Sequence, residues 1–389
     1  MPLEDAPPPN QRIRTAIGAV SLTVSIAAWL VLVLHYQYQV EWLGAYDILS
    51  DVLFLAGVAG IVLTRSAARW SAVRARDLVR RLAILIVGIA AALLVSEYVT
   101  RFVFRHATFS GNPADYLAQR GGGPQIRSNS LGFREREFGP KDPNRYRIAV
   151  IGDSFTWGQG IEEADRYSNL LGGFLGPSFE VLNFGRPGHD MAEHLDDLDE
   201  VLKLHPDFVL LQLFINNFET ASMRRPQTYT LLPRDLDARM VRSSVVYRIL
   251  SDRWTLFLES VGFAESYADY LRRHLRDPNS PDAQEAFGKL GQFIDRARAA
   301  GVPSGVVLFP AADAMGPFAA DYPFDFVHER VKTICAEKEV PYLDLLPSFI
   351  RIRDPHSTWV SPFDAHPNAQ TNRRAAFQIL NTFGASWRH

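Results

Sequence analysis

The sequence predicts an α/β fold: a three-layer α/β/α domain on a five-stranded parallel sheet, flavodoxin-like in plan, preceded by three transmembrane helices. Three observations predict it. Five short apolar runs beyond residue 146 alternate with amphipathic segments. The runs are apolar on both faces, as strands covered on both sides by helices are. Ahead of them lies one uncharged stretch long enough to cross about 30 Å of hydrocarbon as a helix, and a second strong run that reaches that length with a few flanking residues.

The hydrophobic stretches come first in the 389-residue chain. Thr15 to Leu34 carries no charge, and Leu82 to Ser96 is a second strong run. A weaker one between them has Asp47 and Asp51 near its start. The expected spans are about 14–35, 43–64 and 81–101, within an anchor covering 1–104. The linker before the third span holds Arg65, Arg69, Arg74, Arg76, Arg80 and Arg81 against Asp77 alone. Such a loop is retained in the cytoplasm, and Arg12 and Arg14 place the N-terminus there too. An odd number of spans then puts the remainder outside, periplasmic or extracellular on a bacterial cytoplasmic membrane. The start, MPLEDAPPPNQ, lacks the basic end of a cleaved signal peptide.

Residues 105–146 read as a connector packing on the following domain, rich in Gly, Asn and Arg and without periodicity. The domain at 147–389 has strand-like runs at Arg147–Ile151, Phe179–Phe184, Asp207–Phe214, Val302–Phe309 and Pro341–Leu346. Helical patterns lie at Arg166–Leu175, Met191–Leu204, Ala286–Ala300 and Phe326–Glu337. A helical insertion at about 221–285 interrupts the alternation. The net charge of −2 gives no bulk attraction to nucleic acid. The one cysteine, Cys335, excludes an internal disulfide and reads as a small core residue.

The first run, RIAVIGDSFTWGQG, stops on Gly152-Asp153-Ser154. Open α/β sheets bind ligands beyond the carboxyl ends of their strands, where Ser154 stands. A serine needs a base to become a nucleophile. His366, in FDAHPNAQ before a C-terminal helix, can take its proton on Nε2, with Asp364 holding Nδ1–H. Developing negative charge needs donors. Gly188 after the second run offers its N–H, and Asn216 or Asn217 after the third offers a side-chain amide. Taken singly, each of these motifs also reads as an ordinary turn or cap. His189, beside Gly188, and Asn217, beside Asn216, are candidate pocket residues. His194 and the acids Asp196, Asp197, Asp199 and Glu200 read as a solvated helix face. No EF-hand spacing, phosphate loop or other ligand spacing is present, so no metal and no organic cofactor is expected.

The order Ser154, Gly188, Asn216, His366 resembles the four blocks of the SGNH (GDSL-type) hydrolases over roughly residues 125–389. SNSLGFREREF ahead of the first strand resembles a lead-in of membrane-anchored bacterial members. The resemblance implies Ser154 as nucleophile, His366 as base and Asp364 as orienter. It implies an oxyanion hole made by the N–H of Ser154, the N–H of Gly188 and the amide of Asn216. Two departures stand out. The usual Gly-x-Asn-Asp is Phe214-Ile215-Asn216-Asn217, and the usual Asp-x-x-His is shortened to Asp364-Ala365-His366. The implied function is a membrane-anchored serine esterase acting on an O-acyl or O-acetyl ester of a carbohydrate or lipid. An alternative is an O-acyltransferase acting on a cell-envelope polysaccharide, served by a separate membrane acyl donor. The other is a binding module on the same fold without chemistry.

Overall fold

The computed structural model describes residues 19–30, 54, 57–59, 61, 75–103, 128–224, 229–312, 322–350, 352, 354–361 and 364–387. The chain divides into two compact units, 1–105 with 244–246, and 106–243 with 247–389.

In the first unit residues 19–30 are helical, and helix α1 runs Ala75–Val103. Expected spans one and three fall on these two segments, while most of 43–64 lies outside the described residues. Among the described residues no helix is long and apolar enough to cross a membrane. Along α1, Ile84, Val87, Leu94 and Phe102 are exposed.

The second unit is built on five parallel strands: β1 (Tyr146–Gly152), β2 (Phe179–Gly185), β3 (Phe208–Leu213), β4 (Ser304–Leu308) and β5 (Tyr342–Asp344), in the order β2-β1-β3-β4-β5. Their sequences explain their place. β3 and β4 are buried at every position, as central strands between two helical layers must be. Helices connect them: α2 (Ser154–Trp157), α3 (Tyr167–Leu175), α4 (Met191–Leu202), then the insertion helices α5 (Arg234–Ser243), α6 (Val245–Ser260) and α7 (Tyr267–Leu275), then α8 (Pro281–Ala299), α9 (Asp325–Glu337) and α10 (Ala369–Phe383). α3 packs with α10, and α4 with α8, so the two pairs form the outer layers. Each buried Leu, Ile, Val or Phe adds about 1.5–3 kcal/mol.

The segment ahead of β1 is held by burial. Phe133 packs its ring edge on Phe184, with centroids 5.2 Å apart. Arg134 is buried and donates to the carbonyls of Trp157, Gly158 and Ile161. At the amino edge of the sheet Arg147 lies opposite Glu180 across β1 and β2, with Nε 2.7 Å from Oε2.

The chain passes from β1 outward to β2, then back across to β3. That reversal leaves a crevice beyond the carboxyl ends of β1 and β3, the place where open α/β sheets bind ligands. A two-stranded antiparallel hairpin, β6 (Trp359–Ser361) and β7 (Asp364–Pro367), precedes α10.

Candidate active site

Ser154 is the first residue of α2, directly after β1. Asp153 caps that helix, its Oδ1 accepting the N–H of Phe155 at 2.9 Å. Gly152, the last residue of β1, is needed for closeness and not for a left-handed turn. Its φ is not positive. A Cβ there would lie 2.2 Å from Thr156 Oγ1 and 2.4 Å from Gln212 Oε1, so glycine is needed for close approach. The Ser154 N–H has no acceptor among the described residues, as expected for the first turn of a helix.

His366 lies on β7, the strand just ahead of α10. That strand pairs with Trp359–Ser361, a partner that local composition did not reveal. The strand also accounts for the shortened Asp-x-His spacing. Side chains two apart on a strand share one face, so Asp364 and His366 point the same way. His366 Nε2 lies 2.8 Å from Ser154 Oγ, and its Nδ1–H donates to Asp364 Oδ1. Asp364 is fully buried and also accepts the His366 N–H at 3.1 Å and Gln159 Nε2 at 3.3 Å. Burial opposes its charge, but the His366 ring, these hydrogen bonds and Gln159 outweigh burial and hold its pKa below the ordinary value. Phe155 packs against the His366 ring and stacks on Phe214, giving the serine an apolar flank.

The donor candidates sit on the ends of three adjacent strands. Ser154 follows β1, Gly188 follows β2 and Asn216 follows β3. Gly188 has φ +82° and its N–H has no acceptor among the described residues. Asn216 has a buried Oδ1 with no partner among the described residues, and none of them holds its amide by a hydrogen bond. Uncommitted polar groups at a strand rim suit a ligand. Phe214, where the usual block has Gly, supplies the ring stacked on Phe155.

The sequence profile of the GDSL-like lipase/acylhydrolase family matches residues 150–374. The chain belongs to this family. It is an ester-hydrolysing enzyme. No curated protein matches its sequence. Solved structures similar to it include TesA, at 14% identity and TM-score 0.39, covering 61% of this chain and 98% of that one. EstA, a psychrotrophic esterase from Pseudoalteromonas sp., has 12% identity and TM-score 0.36 over 63% of this chain and 100% of its own. Est24, a carbohydrate acetylesterase from Sinorhizobium meliloti, has 13% identity and TM-score 0.37 over 62% and 100%.

Three expectations for this acylhydrolase are corrected. Asn217 does not line a pocket: it is fully buried, its amide committed to Phe214, Asp153 and His189. His194 and Asp197 are not on a solvated face. α4 turns both inward, and with His189 they form the one group among the described residues with metal-ligand geometry. The two Nδ1 atoms and the carboxylate already face one another, while His194 Nε2 is buried with no partner among the described residues. Asp197 Oδ2 takes His189 Nδ1 at 2.9 Å and lies 3.5 Å from His194 Nδ1, while Arg186 Nε stands 3.5 Å from Oδ1. The guanidinium supplies the charge a cation would bring, so the group closes on itself.

Sequence reasoning missed several residues around the site. Gln159 holds Asp364, and Gln212 Oε1 accepts from Thr156 Oγ1 at 2.7 Å and from the Asp153 N–H at 3.2 Å. A polar residue inside the otherwise apolar run of β3 was the available signal for Gln212. Cys335 is buried, and burial pushes its thiol up to about 12, so it is no nucleophile.

Proposed function

We propose that this acylhydrolase is a membrane-anchored serine esterase that works through Ser154, His366 and Asp364 on an O-acyl ester of a carbohydrate or lipid outside the cytoplasm. The observation that carries the reading is the continuous line from Ser154 Oγ, 2.8 Å from His366 Nε2, to the buried carboxylate of Asp364.

Ser154 Oγ attacks the ester carbonyl carbon while its proton passes to His366 Nε2. The carbonyl oxygen becomes an oxyanion, held by the N–H of Ser154, the N–H of Gly188 and the amide of Asn216. The C–O bond to the alcohol breaks, and His366 returns the proton to the departing alkoxide oxygen. Water then attacks the acyl-enzyme, giving its proton to Nε2. The second tetrahedral intermediate collapses, Ser154 regains a proton from His366, and the carboxylic acid leaves. Asp364 stays ionised throughout, fixing the tautomer and stabilising the imidazolium.

The anchor rests on the uncharged runs Thr15–Leu34 and Leu82–Ser96, the Arg-rich linker between them, and the exposed apolar side chains of α1. Together they support a bacterial cytoplasmic membrane with the N-terminus inside and the catalytic unit outside.

The test uses the full chain in detergent, treated with a fluorophosphonate and mapped by peptide mass, with Ser154→Ala beside it. One adduct on Ser154, absent from the variant, is expected. A folded chain that takes no label would overturn the reading. Acetate release from an acetylated glycan, measured with and without a sugar acceptor, separates hydrolysis from acyl transfer.

A further inference from the structure

We propose that Phe214 is a specificity-determining residue that closes the acyl side of the site, so that the enzyme takes esters of short acyl groups, acetyl above longer chains. This rests on the reading of Ser154 as the nucleophile and names the acyl half of the substrate, which that reading leaves open.

Phe214 stands at the carboxyl end of β3, two residues ahead of Asn216. The usual block has a glycine there, with no side chain at all. Phe214 has φ −132° and ψ 164°, an extended backbone that any residue adopts, so chain geometry does not dictate what stands here. Its main chain is pinned. Its N–H donates to Asn217 Oδ1 at 2.6 Å, and the carbonyl of its neighbour Leu213 accepts the Phe309 N–H at 2.9 Å. The Phe214 ring lies on that of Phe155, with centroids 4.4 Å apart and planes 27° from parallel. Phe155, the residue after Ser154, has its ring 5.3 Å from the His366 ring and meets Phe309 edge-on at 5.5 Å. Phe155 and Phe309 are buried, while Phe214 is only half-buried. The three rings make one apolar wall over the ends of β1, β3 and β4, and Phe214 is its solvent-facing member.

Chemistry decides which half of the ester this wall meets. A simple acyl group carries only C–H bonds beyond its carbonyl. The alcohol of a carbohydrate carries hydroxyls that an aromatic wall leaves unpaired. The donors proposed for the carbonyl oxygen follow β2, β1 and β3, and the ring wall is displaced from them by one strand, toward β4. A glycine at 214 would leave the volume of a phenyl ring open above Phe155. The ring fills it, and a close-packed wall yields only at a cost. A methyl group fits against such a wall, whereas a longer chain has to displace it.

The experiment compares kcat/KM of wild type, Phe214→Ala and Phe214→Leu, each as the full chain in detergent. The substrates are p-nitrophenyl acetate, butyrate and hexanoate, which vary the acyl group, and ethyl and hexyl acetate, which vary the alcohol. Fluorophosphonate labelling and thermal unfolding accompany each protein. Wild type is expected to prefer acetate to hexanoate. Phe214→Ala is expected to raise the hexanoate-to-acetate ratio by about 10-fold or more, since one methylene in an apolar pocket is worth about 10–200-fold. The ratio is the readout because a ring that merely supported Phe155 and His366 would, once lost, slow all esters alike. The alcohol series is expected to hold its ratio within about threefold. Three results would each overturn the inference: no acetate preference in wild type, an acyl ratio unchanged in folded Phe214→Ala, or a shift in the alcohol series alone. Where Phe214→Ala does not fold, Phe214→Leu carries the test with a smaller shift in the same direction, and an unchanged ratio overturns the inference. Failure of both variants to fold marks the ring as structural and overturns it too. Wild type that takes no label overturns the nucleophile reading itself. A labelled wild type beside an unchanged acyl ratio overturns only the role of Phe214.

Discussion

The carboxylate of Asp364 accepts two bonds from His366, one from the ring Nδ1–H and one from the backbone N–H. One acid thus sets both the rotation of the imidazole and the strand that carries it. Asp364→Asn is expected to lower kcat by about 10²–10⁴-fold with little change in KM, because the amide allows the wrong tautomer. The depressed pKa of Asp364 means that the acid is ionised at every pH above the ordinary carboxylate value of about 3.9. The wild-type kcat profile therefore carries no inflection from Asp364 above that pH. Steady-state kinetics from pH 4 to 9 checks both statements.

Asn216→Ala separates function from stability. Among the described residues the amide of Asn216 makes no hydrogen bond, so its removal leaves none of them newly orphaned. The expected result is a loss of about 10²–10³-fold in kcat at unchanged unfolding midpoint. A fall in midpoint of several degrees with kcat intact would instead mark Asn216 as structural.

Arg147→Met tests the polar lock at the other end of the sheet. Burial opposes the charge on Glu180, but hydrogen bonds from Arg136 and Arg147 outweigh it and hold its pKa low. Loss of Arg147 strands a buried carboxylate, an effect of about 3 kcal/mol, at the lower end because Arg136 remains. The sign with pH follows from the depressed value. The stabilisation is present above the unfolded carboxylate pKa of about 4.3 and fades as pH falls through the lower folded one. Urea unfolding of both proteins should show the gap narrowing below about pH 4.

Asp197→Asn probes the group beside Gly188. Burial alone would push His189 down, yet the hydrogen bond and charge of Asp197 hold its pKa above the ordinary value. That stabilisation is fully present below the unfolded histidine value of about 6.5 and is lost as pH rises through the folded one. NMR titration should place His189 above its ordinary value in wild type and below it in the variant. Coincident titrations would refute the pairing.

The parts of this protein that were legible in the sequence are those decided locally. The five strands were legible because β1, β3 and β4 are continuous apolar runs whose burial does not depend on a particular partner. Ser154 and His366 were legible as chemistry at element ends. The rest depends on partners distant in sequence. Arg134, Arg147 and Arg166 look like surface residues until their acceptors are folded around them. His194 and Asp197 sit on a helix whose acidic stretch also carries the exposed Asp196, Asp199 and Glu200, and only the packed face tells them apart. The β6–β7 hairpin and the buried amide of Asn217 exist through tertiary pairing, which no local pattern encodes.

Ser154 and His366 stand 212 positions apart, and the base arrives only when β7 pairs with β6 and α10 docks on α3. During synthesis the hydroxyl is made long before the imidazole that would activate it. On the proposed mechanism the growing polypeptide therefore stays chemically silent until that imidazole has been made and docked. On the same mechanism it becomes able to cut esters only once β7 is in place, so a chain stalled or clipped ahead of β7 is expected to yield an inert product, not a misdirected hydrolase.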